Sequence, residues 1–280
     1  MKVLLLTALA GCCLSACNNA PQPAATAVIA APDTTWALLP FHKADSVNPV
    51  LLPGSNVFTC PLWKRPVAWE SKNVFNPAIV TREGKIWMLY RAQDSLGKPG
   101  GTSRIGLATS TDGFHFARNT APVLYPANDA QKKYEWEGGC EDPRVVEDSA
   151  GTYYMTYTAY DGKMARLLVA SSKDLLHWTK HGAAFGKAYG GKYLDKWSKS
   201  GSIVSTYHKD GRIVATRIHG KYWMYWGEGT VRLATSDDLI HWKPVEDERG
   251  EPVAVLAKRA GRFDSSFPEV GPPPVLTERG

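Results

Sequence analysis

Cysteine is scarce in this chain of 280 residues: five in all, three of them within the first 17 positions, which leaves only Cys60 and Cys140 for the body of the protein. Neither sits in a Cys-x-x-Cys or Cys/His pattern, which argues for buried thiols over a metal site and leaves their pairing open. His-Glu-x-x-His, a phosphate loop and a Gly-x-Ser-x-Gly elbow are all missing from the sequence, so the corresponding zinc, nucleotide and serine-nucleophile chemistries lack their residues. No metal and no cofactor are expected. A run of Lys and Arg interleaved with stacking aromatics is also missing. The 33 basic and 27 acidic residues, net +6, are spread along the chain, and nucleic acid is not an expected partner. A charged content of 21% and a mean hydropathy of -0.27 exclude a polytopic membrane protein. The 44% of hydrophobic residues is enough to bury a core, as one globular domain or a repeat array.

A hydrophobic run long enough for a span is missing too. The apolar stretch from Val3 to Leu14, after Lys2, falls short of the roughly 20 residues that a transmembrane helix needs. It ends in Leu14-Ser15-Ala16-Cys17, which resembles a bacterial lipobox. That resemblance implies a signal peptide over residues 1–16, lipid on the Cys17 thiol and an Ala/Pro-rich tether over residues 17–34. The folded domain would then occupy residues 35–280, anchored by lipid at a bacterial cell envelope, on the periplasmic side or at the outer surface.

What the chain has instead is a repeat. Gly84-Lys85-Ile86-Trp87-Met88-Leu89-Tyr90 returns as Gly151-Thr152-Tyr153-Tyr154-Met155-Thr156-Tyr157 and as Gly220-Lys221-Tyr222-Trp223-Met224-Tyr225-Trp226. Each copy is followed by a second motif: Ala108 to Asp112 with His115-Phe116, Ala170 to Asp174 with His177-Trp178, and Ala234 to Asp238 with His241-Trp242. A turn glycine followed by alternating large residues reads as an antiparallel strand, and a two-motif repeat of this length reads as a propeller blade. The recurring Trp87, Tyr154 and Trp223 read as blade core, and the three histidines as turn residues. Asn76-Pro77 and Asp142-Pro143 open the inner strands of successive blades, and Pro272 to Gly280 aligns without a gap to Asn76 to Gly84. The fold class is therefore all-β, with three blades, a partial fourth and an N-terminal segment from about Trp36 to Glu70 that could complete a closing blade. A closed propeller needs about four blades or more, so the chain reads as shortened at its C-terminus, with a complete but atypical array as the alternative.

Function is sought where the repeat breaks. Asp142 stands where the first copy has Asn76, and Glu141 precedes it. One reading is a solvated acidic loop paired with Arg144. The other is a carboxylate at a buried strand start, open to pKa tuning. Glu228 follows Trp226-Gly227 where the other copies carry Ala92 and Ala159, and Glu269, with Asp264 upstream, precedes the fourth inner strand. One Asp and two Glu at the ends of different strands suit glycoside cleavage, with one carboxyl donating a proton to the leaving oxygen and another activating the attacking group.

At these residues the chain resembles glycoside hydrolase family 130, five-bladed propeller enzymes acting on β-mannosides. The likeness runs from about Phe75 to Gly280. It rests on Phe75-Asn76-Pro77-Ala78, Tyr90-Arg91-Ala92, Glu141-Asp142-Pro143-Arg144, Tyr157-Thr158-Ala159-Tyr160-Asp161-Gly162 and Gly271-Pro272-Pro273-Pro274. The resemblance implies Asp142 as general acid, acting directly or through a substrate hydroxyl. It implies Asn76, Arg91, Arg104, Arg144, Asp161 and Lys199 as sugar-contacting or supporting residues, with Glu141 and Asp264 beside them. Phosphorylases of the family carry His-Arg-Pro after the third-blade strand and a Lys shortly before the Gly-Pro-Pro-Pro stretch. Here those regions read Trp226-Gly227-Glu228 and Pro268-Glu269-Val270. The expectation is an inverting exo-β-mannosidase, acting on a β-1,2-linked mannoside oligosaccharide, with Glu228 or Glu269 as base. A β-mannoside phosphorylase and an inactive or glycan-binding surface lipoprotein are the alternatives, and an unrelated arabinosidase-like propeller is a lesser one.

Overall fold

A computed structural model describes residues 42–279; the signal-like segment, Cys17 and the tether lie outside the described residues. All strands belong to the compact unit Ala44–Gly280. The first two, β1 (Val57–Cys60) and β2 (Arg65–Ala68), form a hairpin of their own. Cys60, Val67 and Trp69 bury against Met88, Tyr90 and Ala92 of the next sheet. The hairpin thus packs against the face of the first blade, where Trp69 is fully enclosed and its indole donates to Thr120 O at 3.1 Å.

The first two repeats each fold into a four-stranded antiparallel meander. The first comprises β3 (Asn73–Arg82), β4 (Lys85–Gln93), β5 (Ser103–Ser110) and β6 (Ala117–Arg118). The second comprises β7 (Gly139–Glu147), β8 (Tyr153–Tyr160), β9 (Ala165–Ser172) and β10 (Thr179–Ala183). The repeated methionines fall on the second strand of each blade and are buried. Each such side chain withdraws roughly 1.5–3 kcal/mol worth of apolar surface from water. Cys60 and Cys140 lie in two different cores as free thiols. The second motif makes the expected capped turn: Asp112, Asp174 and Asp238 each accept the backbone N–H of the histidine three residues on, and each meets its Nδ1 at 2.7 Å.

The third blade departs from the reading. Its inner strand is β11 (Ser202–Ile203), and the chain then makes a hairpin of β12 (Ser205–Tyr207) and β13 (Ile213–Ala215). It continues through β14 (Arg217–Ile218) into β15 (Lys221–Trp226), β16 (Thr230–Ser236) and β17 (Trp242–Pro244), with β18 (Ala254–Ala257) pairing the start of β16. No proline marks β11. Instead Gly201 packs so close that a Cβ there would come within 2.6 Å of Leu167 and 2.7 Å of Met224. Pro272 to Leu276 runs beside β12 as an isolated parallel bridge, with Ser205 N donating to Pro274 O at 2.9 Å and Leu276 N to Ser205 O at 2.7 Å.

Candidate active site

The inner strands of the first two blades share one irregularity. In β3 the pairing with β4 jumps from Phe75 to Ala78, and in β7 the pairing with β8 jumps from Glu141 to Arg144. Pro77 and Pro143 fall in the gaps, where no ladder donor is required. Asn76 and Asp142 take left-handed φ values of 47° and 49°, and Ser200, before β11, takes 57°. Asn and Asp tolerate that region better than other residues with a Cβ. The three positions are structural equivalents at the mouths of three inner strands, and each presents its side chain to one cluster.

Asp142 is the centre of it. Its Oδ1 accepts from Asn76 Nδ2 at 2.7 Å and from Arg91 Nη1 at 3.0 Å, and its Oδ2 lies 3.5 Å from Lys199 Nζ. Burial alone would raise its pKa, but Arg91, the Asn76 hydrogen bond and Lys199 outweigh it and hold the carboxyl below its ordinary value. Arg91 spans both neighbours, its Nη2 donating to Glu141 at 2.7 Å and its Nε to Ser103 at 3.0 Å, while its plane covers the Phe75 ring. Glu141 goes the other way: burial, opposed by Arg91 and aided by the Asp142 charge, pushes it up to about 6. A raised carboxyl favours the folded state while protonated, so its stabilisation is present below about pH 4.5 and lost as pH rises through 6. Glu141→Gln should flatten the urea-melt stability between pH 4.5 and 7 by roughly 2 kcal/mol relative to wild type. An unchanged slope would show that Glu141 does not titrate there.

Lys199 gathers the rest. Its Nζ lies 3.4 Å from Glu228 and 3.7 Å from Glu269 as well as near Asp142. Burial works against its charge, but Asp142, Glu269, Glu228 and Glu141 together raise its pKa. Because Asp142 and Glu228 oxygens both fall within 3.5 Å of one nitrogen, they are at most about twice that distance apart. That ceiling reaches the short end of the ~6.5–9.5 Å span of inverting carboxyl pairs and also admits the shorter retaining spacing. Glu228 and Glu269 meet in a backbone bridge. Glu228 Oε1 accepts from Trp197 Nε1 at 2.6 Å, and Glu269 accepts from the Ser200 hydroxyl.

Arg144 clamps backbone at the edge of the cluster. It donates to the carbonyls of Asp142, Val270 and Gly271, and approaches Glu269 at 3.9 Å. Burial lowers its pKa, and its donors fix the 269–271 segment against β7.

Three expected site residues have other partners. Arg104 is enclosed and paired with Asp94 at 2.6 Å, beneath Phe58 and Trp63. Asp161 caps its own turn through Lys163 N and Met164 N and pairs with Arg166 at 3.0 Å. Asp264 pairs with Arg259 at 2.7 Å. In each case a partner of opposite charge lies within the same loop or blade, although Arg104 Nε and Asp264 Oδ1 make no hydrogen bond. Ser103, Trp197 and Ser200 also touch the cluster and carry no motif that marks them. Trp197 and Ser200 flank Lys199 in sequence, which was the available signal.

A cavity of about 440 Å³ opens on the cluster, lined by Asn76, Pro77, Asp142, Arg144, Glu269 and Pro272 among others. A larger one of about 650 Å³, between residues 119–131 and 176–180, holds none of these carboxyls; its ionisable lining is His177 and the Asp129–Lys180 pair. Size favours the second and chemistry the first.

The family model described as beta-1,4-mannooligosaccharide phosphorylase matches residues 56–280. The chain is similar to a 1,2-beta-oligomannan phosphorylase of Thermoanaerobacter sp. (strain X514), 29% identical over 250 residues that make up 85% of this chain and 69% of the relative. It is similar to the solved structure of a putative glycosidase from Bacteroides thetaiotaomicron VPI-5482, with 50% identity and a TM-score of 0.84, covering 89% of this chain and 71% of that one. A further solved structure matches with 47% identity and a TM-score of 0.85 over 89% of this chain and 70% of that one. It is described by the statement that the GH130 family of mannoside phosphorylases contains glycoside hydrolases that target beta-1,2 mannosidic linkages in Candida mannan.

Proposed function

The chain belongs to glycoside hydrolase family 130, and from that we propose that it is an inverting exo-β-mannosidase acting on β-1,2-linked mannosides. The convergence of Asp142, Glu228 and Glu269 on the single ammonium of Lys199 supports hydrolysis over phosphorolysis. Four carboxyls, with Glu141, face three cations, Arg91, Arg144 and Lys199, and each cation is engaged by the carboxyls or by backbone carbonyls. An incoming phosphate would meet no free cation, and each charge pair at 4 Å would cost about 4 kcal/mol at an effective dielectric of 20. A water molecule is neutral and needs a carboxylate to take its proton.

In this mechanism Asp142 delivers a proton to the glycosidic oxygen, directly or through a substrate hydroxyl. Glu228 or Glu269 accepts the proton of the water that attacks the anomeric carbon from the opposite face. Against its burial, Arg91, the Asn76 hydrogen bond and Lys199 hold Asp142 below its ordinary pKa. A mannose hydroxyl inserted between Asp142 and Lys199 would replace one charged partner by a neutral one and make protonation of the carboxyl easier.

Purified protein given β-1,2-mannobiose should release free mannose at the same rate with and without inorganic phosphate. Formation of mannose 1-phosphate, absent without added phosphate, would establish the phosphorylase instead. Binding without any turnover would point to a glycan-binding protein.

A further inference from the structure

We propose that Trp197 orients Glu228 through its indole N–H and offers its ring face to a pyranose of the substrate, a role that rests on the mannosidase reading above. Five other indoles, those of Trp69, Trp178, Trp223, Trp226 and Trp242, each donate to a backbone carbonyl. Trp197 donates to a carboxylate of the site, Glu228 Oε1, at 2.6 Å. It is also 48% exposed, although an indole has 150–250 Å² of surface to gain by burial.

Its surroundings hold the ring still without covering it. Tyr160 meets it edge to face at 6.5 Å and 67°, and the same short segment carries Lys199 and Ser200, which touch the remaining carboxyls. With Oε1 of Glu228 taken by the indole, Oε2 is the oxygen left at Lys199 and turned toward the shared ammonium of the site. An exposed, immobilised aromatic face beside that oxygen matches the apolar C–H face of a pyranose. Trp197 itself exchanges no proton and forms no bond with the sugar, so it is a positioning residue for Glu228 and a binding surface for the ring.

The test compares wild type, Trp197→Phe and Trp197→Ala in steady-state hydrolysis of β-1,2-mannobiose, with calorimetric titration of the same sugar and thermal melts of all three. Phe keeps a ring face and loses the N–H donor. It should lower kcat about 10-fold, as expected for loss of a hydrogen bond to a charged group, with KM within about twofold. Ala loses both and should add a rise in KM, and in the calorimetric Kd, of about 10-fold, as expected for removing an aromatic contact surface. Wild-type parameters in both variants would overturn the proposal. So would equal losses in Phe and Ala accompanied by lowered melting, which is the signature of a merely structural tryptophan. An active wild type with indifferent variants sinks the Trp197 role alone, whereas a wild type that neither binds nor cleaves the sugar sinks the mannosidase reading and this proposal together. If wild type binds without turnover, the Kd arm decides: Ala weakened and Phe unchanged supports the ring platform, and equal affinities refute it.

Discussion

Asp142→Asn is expected to lower kcat for β-1,2-mannobiose by about 10²–10⁴-fold, the usual contribution of a positioned acid, while the protein still binds the sugar. The substitution is clean for physical reasons. Asn tolerates the left-handed backbone that residue 142 adopts at φ 49°, whereas Ala would add roughly 1–2 kcal/mol of strain. The amide oxygen can still accept from Asn76 Nδ2 and Arg91 Nη1, so the walls of the site stay where they are. The amide nitrogen would face Lys199, which then keeps its Glu228 and Glu269 partners. Calorimetric titration together with a turnover assay separates the two effects. Retained turnover would remove Asp142 from the chemistry and return attention to Glu141, whose pKa of about 6 also suits a proton donor.

Lys199→Met should be the most damaging single change to the fold around the site. It removes the one ammonium shared by Asp142, Glu228 and Glu269 and leaves partly buried carboxylates facing each other. Breaking a buried pair by deleting one partner costs about 3–5 kcal/mol, and urea denaturation at pH 7 should show a loss of that size. The pH dependence has a definite sign. The raised pKa of Lys199 means that its stabilisation is fully present at neutral pH and is lost at the basic end only as pH rises above its ordinary 10.5. In the variant the uncompensated charges disappear as the carboxyls protonate, so the difference between variant and wild type should shrink between pH 7 and 4. A penalty that stays constant across that range would mean that lost packing, and not lost charge, is responsible. Turnover should fall as well, since Lys199 sets the separation of the proposed acid and base.

The blades were legible because strand pattern is local. Met88, Met155 and Met224 fall at the same buried place after the turn glycine on the second strand of each blade, and the Asp-x-x-His turns close on themselves within four residues. The equivalence of Asn76 and Asp142 was legible too, since the following prolines mark the same bulge. Ser200 was hidden: Gly201 stands where the other copies have proline, and the reason for a glycine there is its approach to Leu167 and Met224, which no local pattern reports. Arg104 and Asp161 carried the right chemistry for a sugar site, yet Asp94 and Arg166 claim them. A charged side chain takes whichever counter-ion the fold brings near, and sequence spacing does not say which.

The sequence by itself determined the all-β blades, the equivalence of Asn76 and Asp142 at two strand mouths and the intrusion of Glu228 where its sister copies carry alanine, because each follows from comparing the repeats residue by residue. Only the tertiary structure decided that Asp142, Glu228 and Glu269 share one lysine, that Arg144 clamps backbone, and that Trp197 stands exposed against Glu228. Those contacts join strand ends from different blades, and their geometry exists only once the sheets have packed and buried the charges together.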